Sequence, residues 1–370
     1  MEKGKLVDNS EKETLNNLEK VIAVRIIQED AEAIYSLMKS EKDSILSMGI
    51  IPYYALFVQS CQEYMGEKYL SESEELRVKD IRNHIKTYGE KFGKSKKRLL
   101  SVDFKQNEQF MSQLKFDFMR DWNVHLNLGT YWTAERHIVG NTQLFADFLG
   151  IEDMFNTETG KRQYELGNQL GKFVSSVRDG LSKNINQPNV LRSNSSISID
   201  YFHDLNTNKK NEFFIDSSSK ELNLFLLHLI CNMNFVKYVL RTLFVEGNTW
   251  VFRVEYIVTY YTFRALLSLR NYYENVNDGQ VELADISNII NFGNEIFQSK
   301  FRNCMMHYGL ENQEVLSLKY INKPFYGIIE TCFDGMDYHS YLDHLRRLSD
   351  TIILFLEKRF DATNIELQHL

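Results

Sequence analysis

Proline is almost missing from this chain, with three residues in 370, and glycine is scarce at 18. Globular chains average roughly 5% proline and 7% glycine. A chain this poor in turn formers spends most of its length in long uninterrupted elements, and helices are the expected ones. Cysteine is equally thin: Cys61, Cys231, Cys304 and Cys332 lie far apart within apolar patterns, which excludes a disulfide framework and reads as reduced core thiols of a cytoplasmic protein. Positive charge is in deficit, 43 Lys+Arg against 50 Asp+Glu for a formal net charge of −7, so the chain does not coat nucleic acid through bulk electrostatics, although a local basic groove stays compatible. The opening "MEKGKLVDNSEKETL" is too polar for a signal peptide. There is no serine-nucleophile elbow, no paired zinc-ligand motif and no glycine-rich dinucleotide loop, so neither a cofactor nor a metal is expected.

What is present is apolar surface, with 43% hydrophobic and 13% aromatic residues, enough for substantial cores. Helical periodicity runs over 12–39, about 53–69, 73–99, 104–128, 131–149 and 161–183, with Pro52 in the first turn of the second, Asp103 as N-cap of the fourth and Gly129 closing it. The Asn/Ser-rich stretch 184–196 marks a boundary, and 196–219 alternates about "NTNKKN" like a β-hairpin. Four further helices follow over 220–245, 249–275, 284–308 and 338–360, most economically an up-and-down bundle. The 310–337 connection is long for a bundle and is therefore of functional interest. The reading is a mainly α chain: an N-terminal helical domain (1–185), a linker with one short β-hairpin (186–218) and a C-terminal four-helix domain (219–370). The apolar run 222–240 carries His228, Asn232, Asn234 and Lys237, which suits a buried core helix better than a membrane span.

The candidate chemistry lies in "FRNCMMHYGL" (301–310). Arg302 and His307 stand about 140° apart on an ideal helix, Asn303 and His307 share one face at i and i+4, and Gly309 reads as the residue closing the helix. A histidine in the last turn is expected to have its pKa raised by the carbonyl end of the helix. Beside it, arginine supplies a permanent fork suited to phosphate. The plain alternative is a capping histidine next to a solvent-facing arginine.

"RNCMMH" resembles the signature of the HEPN superfamily of helical-bundle ribonucleases: arginine, a polar residue, a short apolar spacer and histidine near the end of the third bundle helix. The resemblance covers about 220–360 and implies a HEPN-like four-helix bundle. It further implies that Arg302 and His307 are catalytic, that Asn303 supports the arginine, and that RNA is the substrate. The implied reaction is metal-independent, with the ribose 2′-OH attacking the adjacent phosphorus. The family's setting implies a toxin, abortive-infection or CRISPR-linked antiviral effector, partnered by an antitoxin or sensor protein and free of membrane. A non-catalytic HEPN-like module binding RNA, a nucleotide or a protein partner is the alternative. "RDWNVHLNLG" (120–129) repeats the pattern with Arg120, Asp121 and His125. If it is genuine the chain is an intramolecular tandem of two bundles; otherwise the active form is expected to be a homodimer. "GEKFGKSKKR" (89–98) has one residue too few between its glycines for a P-loop and is read as a solvated helix end or an RNA phosphate grip. Tyr272, Tyr273 and Tyr308 are candidates for stacking RNA bases.

Overall fold

A computed structural model describes residues 9–40, 44–66, 68–87, 89–112, 126–151, 153, 155–181, 190–192, 199–207, 214, 219–276, 283–311, 313–362 and 365–370. The first half is built from α1 (Asn9–Ser40), α2 (Ser44–Met65), α3 (Glu72–Thr87) and α4 (Phe92–Ser112), then strands β1 (Leu128–Trp132) and β2 (Ile138–Asn141), then α5 (Thr142–Leu149) and α6 (Thr157–Leu181). Two boundaries differ from the sequence reading. Helix α2 begins well before Pro52, which sits inside it. The stretch expected as one helix over 73–99 breaks between α3 and α4 at Gly89, where a Cβ would stand 2.8 Å from the Tyr261 ring, so the chain can approach that ring only without a side chain. Asp103 is consequently an interior residue of α4 and caps nothing. Its carboxylate is buried and accepts from Gln143 and Thr207, with Lys220 as its ion-pair partner.

The segment expected as helix over 131–149 opens instead as a β-hairpin. Thr133 N–H bonds His137 O, and Arg136 takes the left-handed conformation (φ 67) rare outside glycine. Its guanidinium is anchored on the carbonyls of Ala362 and Ile365. Gly129, expected to close a helix, lies within β1, where a Cβ would meet Thr142 Cγ2 at 3.0 Å. Strand β3 (Tyr201–Leu205) falls inside the anticipated hairpin, but it pairs antiparallel with β1 on one side and with β4 (Gln368–His369) on the other, giving the order β2-β1-β3-β4. Residues 208–213 and 215–218 of the anticipated second arm lie outside the described residues, and Phe214 bridges Phe360. A local alternation cannot say which strand it will pair with.

The second half contains α7 (Lys220–Leu243, with a π-helical segment at Phe235–Leu240), α8 (Thr249–Val276), α9 (Leu283–Ile296), α10 (Ser299–Met306), α11 (Ile328–Cys332) and α12 (Tyr338–Glu357). Packing of α7 on α12, α12 on α9 and α9 on α8 gives a four-helix arrangement, but the third helix expected over 284–308 breaks at Phe297–Gln298 into α9 and α10. Helix α11 lies in the long 310–337 connection. Helix α7 is long and apolar enough to cross a membrane by composition, yet 83% of its apolar window is buried inside the fold. Helix α1 packs on both α6 and α8, so the buried cluster runs without interruption from Ile22 to Ile365.

Two buried ionisable groups tie the halves together. Arg253 of α8, 4% exposed, pairs with Asp30 of α1, whose Oδ2 also accepts from Tyr308 at 2.6 Å. His228 of α7, 1% exposed, sits where Asp147, Asp103 and Arg98 all act on it. Burial raises the Asp30 carboxyl to about 6, against the pull of Arg253 and Tyr308, and burial lowers His228 to about 4. The two shifts have opposite consequences. Asp30's folded pKa lies above its unfolded value near 3.8, so its contribution is full below that value and is lost as pH rises through 6. His228's folded pKa lies below 6.5, so its contribution is full above 6.5 and is lost as pH falls through 4. Each shift corresponds to about 3 kcal/mol at 1.36 kcal/mol per unit. In urea unfolding, the stability of wild type minus His228→Leu should therefore grow by about that amount between roughly pH 4 and 6.5, while wild type minus Asp30→Asn should shrink. Two pH-independent differences would contradict the buried, titrating assignment.

Candidate active site

Helix α10 is eight residues long, too short to persist alone. Phe301 pins it: fully buried, it meets Tyr256, Phe333 and Tyr341 edge-on at 5.1–5.2 Å, worth about 1.5–3 kcal/mol for an aromatic of this size. Arg302, the next residue, is rotated about 100° away and half-buried. Its Nη2 donates to Asn303 Oδ1 at 2.6 Å, the support expected of that asparagine. Its Nε is buried with no hydrogen-bond partner among the described residues.

The helix ends one residue before His307. That residue is the C-cap, extended at φ −138 and ψ 157, with its N–H on Asn303 O at 2.9 Å, and Gly309 plays no closing role. The last carbonyls are taken by side chains from elsewhere: Met305 O accepts from Arg253 Nη2 at 3.0 Å and Met306 O from Ser60 Oγ at 2.8 Å. Tyr308 then turns inward to Asp30. Successive side chains of an extended chain point to opposite sides, so burying Met306 and Tyr308 obliges His307 to face out, and its side chain is 48% exposed.

Around His307 stand groups from the first half of the chain. Glu63, near the end of α2, approaches His307 Nδ1 to 3.4 Å and accepts from Gln59 at 2.7 Å, which fixes the carboxylate. Arg82 and Lys86, four apart on α3 and so on one face, both lower the affinity of His307 for a proton. The expectation that a helix terminus would raise the His307 pKa is therefore reversed. It is lowered, first by burial and then by Arg82, with Glu63 pulling the other way. The Lys86 ammonium is likewise lowered by burial, Arg82 and Arg302. The arrangement is an imidazole neutral near pH 7, with one nitrogen toward a carboxylate and two cations, Arg82 and Lys86, acting on it, suited to accept a proton next to a phosphate.

Other candidates are placed differently. Arg120, Asp121 and His125 lie outside the described residues. The basic cluster 89–98 is largely spent on carboxylates: Lys94 on Glu90, Lys96 on Glu221 and Arg98 on Asp147. Tyr273 and Tyr308 are buried rather than offered for stacking, and Tyr272 packs edge-on against Phe92. Burial pushes the thiols of Cys61, Cys231 and Cys304 up to about 12, away from nucleophile chemistry. Among the described residues, no group of three or more His, Cys, Asp or Glu side chains is placed to hold a metal ion. Sequence reasoning missed Glu63, Arg82 and Lys86. The i, i+4 cations in "IRNHIK" were visible, but nothing local joined them to His307.

No protein-family model matches the chain, and comparison with curated proteins and with solved structures found no similar one. The site therefore stands on its own geometry. Because Glu63 favours the imidazolium, Glu63→Gln should lower the His307 pKa further. An NMR titration of its ring protons reads this directly, and a rise or no change would remove Glu63 from the site.

Proposed function

We propose that the chain is a metal-independent RNA endonuclease of the HEPN type, acting as a toxin or phage-defence effector. The observation that carries the reading is His307, half-exposed on extended backbone beside Glu63, with Arg82 and Lys86 acting on it and Arg302 acting on Lys86 in turn. With Nδ1 held toward Glu63, Nε2 of the neutral ring takes the proton of a ribose 2′-OH. The freed O2′ attacks the adjacent phosphorus, Arg302 offsets the charge growing on the phosphoryl oxygens, and the O5′–P bond breaks. The departing 5′-oxygen takes a proton from imidazolium or water, leaving a 2′,3′-cyclic phosphate and a 5′-hydroxyl. Asn303 holds the guanidinium in place, and no step calls for a metal.

The test is incubation of the purified chain with total RNA in EDTA, wild type beside His307→Ala. Cleavage should persist in EDTA, give cyclic-phosphate ends, spare DNA and fall by roughly 10²-fold or more in the variant. An undiminished His307→Ala, or strict dependence on added magnesium, would end the reading.

A further inference from the structure

Two arginines of the described fold are buried below a tenth exposure, and they are treated in opposite ways. Arg253, 4% exposed, has a carboxylate, a carbonyl and the Tyr308 ring, 4.3 Å from its guanidinium carbon. Arg82, 7% exposed, has no hydrogen bond and no ion pair among the described residues, and its Nε is fully buried without a partner. A guanidinium cannot shed its charge to relieve this, and burying an unpaired cation is strongly unfavourable. A fold that keeps such a group loses stability at that place unless an anion arrives from outside.

The neighbourhood is shaped for one. Lys86 lies one turn further along the same face of α3. Arg302 presents a second buried, unpartnered Nε from α10. The nearby carboxylate, Glu63, is already engaged by Gln59 and His307. Tyr261 of α8, on which both Arg82 and Arg302 act, lies against Gly89.

We propose that Arg82, Lys86 and Arg302 form a phosphate seat that the N-terminal half of the chain helps to build beside His307. The presence of an anion site rests on the unpaired guanidinium; its assignment to a phosphodiester of an RNA strand rests on the ribonuclease reading. The same chain thus supplies cations from α3 and from α10.

The experiment uses the full chain and two probes, inorganic phosphate and a 2′-O-methyl RNA oligonucleotide that cannot be cleaved. Both should raise the wild-type unfolding temperature, and the oligonucleotide should bind with a salt-dependent affinity. Arg82→Met should be as stable as wild type or more so in phosphate-free buffer, because an unpaired cation has gone. It should lose the phosphate-induced shift, bind the oligonucleotide on the order of tenfold more weakly, and show a raised His307 pKa by NMR. Lys86→Met, at a half-exposed position, should also weaken the oligonucleotide and guards against a misfolded Arg82 variant. No shift of the wild type with either probe, or an Arg82→Met that is less stable yet binds as tightly as wild type, overturns the seat. Arg82-dependent binding without any RNA cleavage keeps the seat and removes the ribonuclease. His307-dependent cleavage that Arg82→Met leaves unchanged in rate and binding does the reverse.

Discussion

A buried arginine has to distribute its donors, and Arg253 does so in a way that decides where the rest of the candidate site can lie. One edge goes to Asp30 on α1, the other to the carbonyl of Met305 at the end of α10, and the ring of Tyr308 covers its face. Ser60 of α2 takes the next carbonyl, and Tyr308 returns its hydroxyl to the same aspartate. Elements from both halves of the chain thereby meet behind a helix too short to be stable by itself. Loss of one partner would leave the others buried and unsatisfied, which is costlier than never having made the pair. The outward direction of His307 follows from this anchoring: a residue between two buried neighbours on extended backbone has one side left.

Charge in this molecule is informative by its pairing rather than by its density. The densest basic run, 89–98, spends Lys94 on its own Glu90 and Lys96 and Arg98 on Glu221 and Asp147 from other elements. Arg82 and Arg302, which pair with no carboxylate among the described residues, lie far apart in the sequence and both act on Tyr261 in the fold. The proposed seat is thus a local positive group in a chain of net charge −7. Such a site selects an anion by position and not by bulk attraction.

The pKa of His307 shows how a sound local argument is overruled. A helix carbonyl end does favour imidazolium, and the motif does stand at a helix end. Yet the carbonyls there are already committed to Arg253 and Ser60, and partial burial with Arg82 close by outweighs both the terminus and Glu63. The sheet offers a parallel case. Alternation marked 201–205 as extended, but its pairing with β1 and β4 depends on strands distant in sequence.

Apolar periodicity by itself determined the helical character of the chain, three of the four expected helices of the second half and the burial of α7, because a 3.6-residue repeat encodes a helix face within one segment, whereas the break between α9 and α10 left no mark in it. The "RNCMMH" motif, and not periodicity, singled out Arg302, Asn303 and His307, whose spacing is local. The hairpin around Arg136 escaped notice because its turn uses an arginine in a conformation that glycine normally signals. Tertiary structure alone decided that Asp30 meets Arg253, that Glu63, Arg82 and Lys86 surround His307, and that Arg82 has no counter-ion among the described residues. Whether a charge is buried, and beside what, depends on elements that approach only when the whole core closes, and no window of sequence contains both sides of that contact.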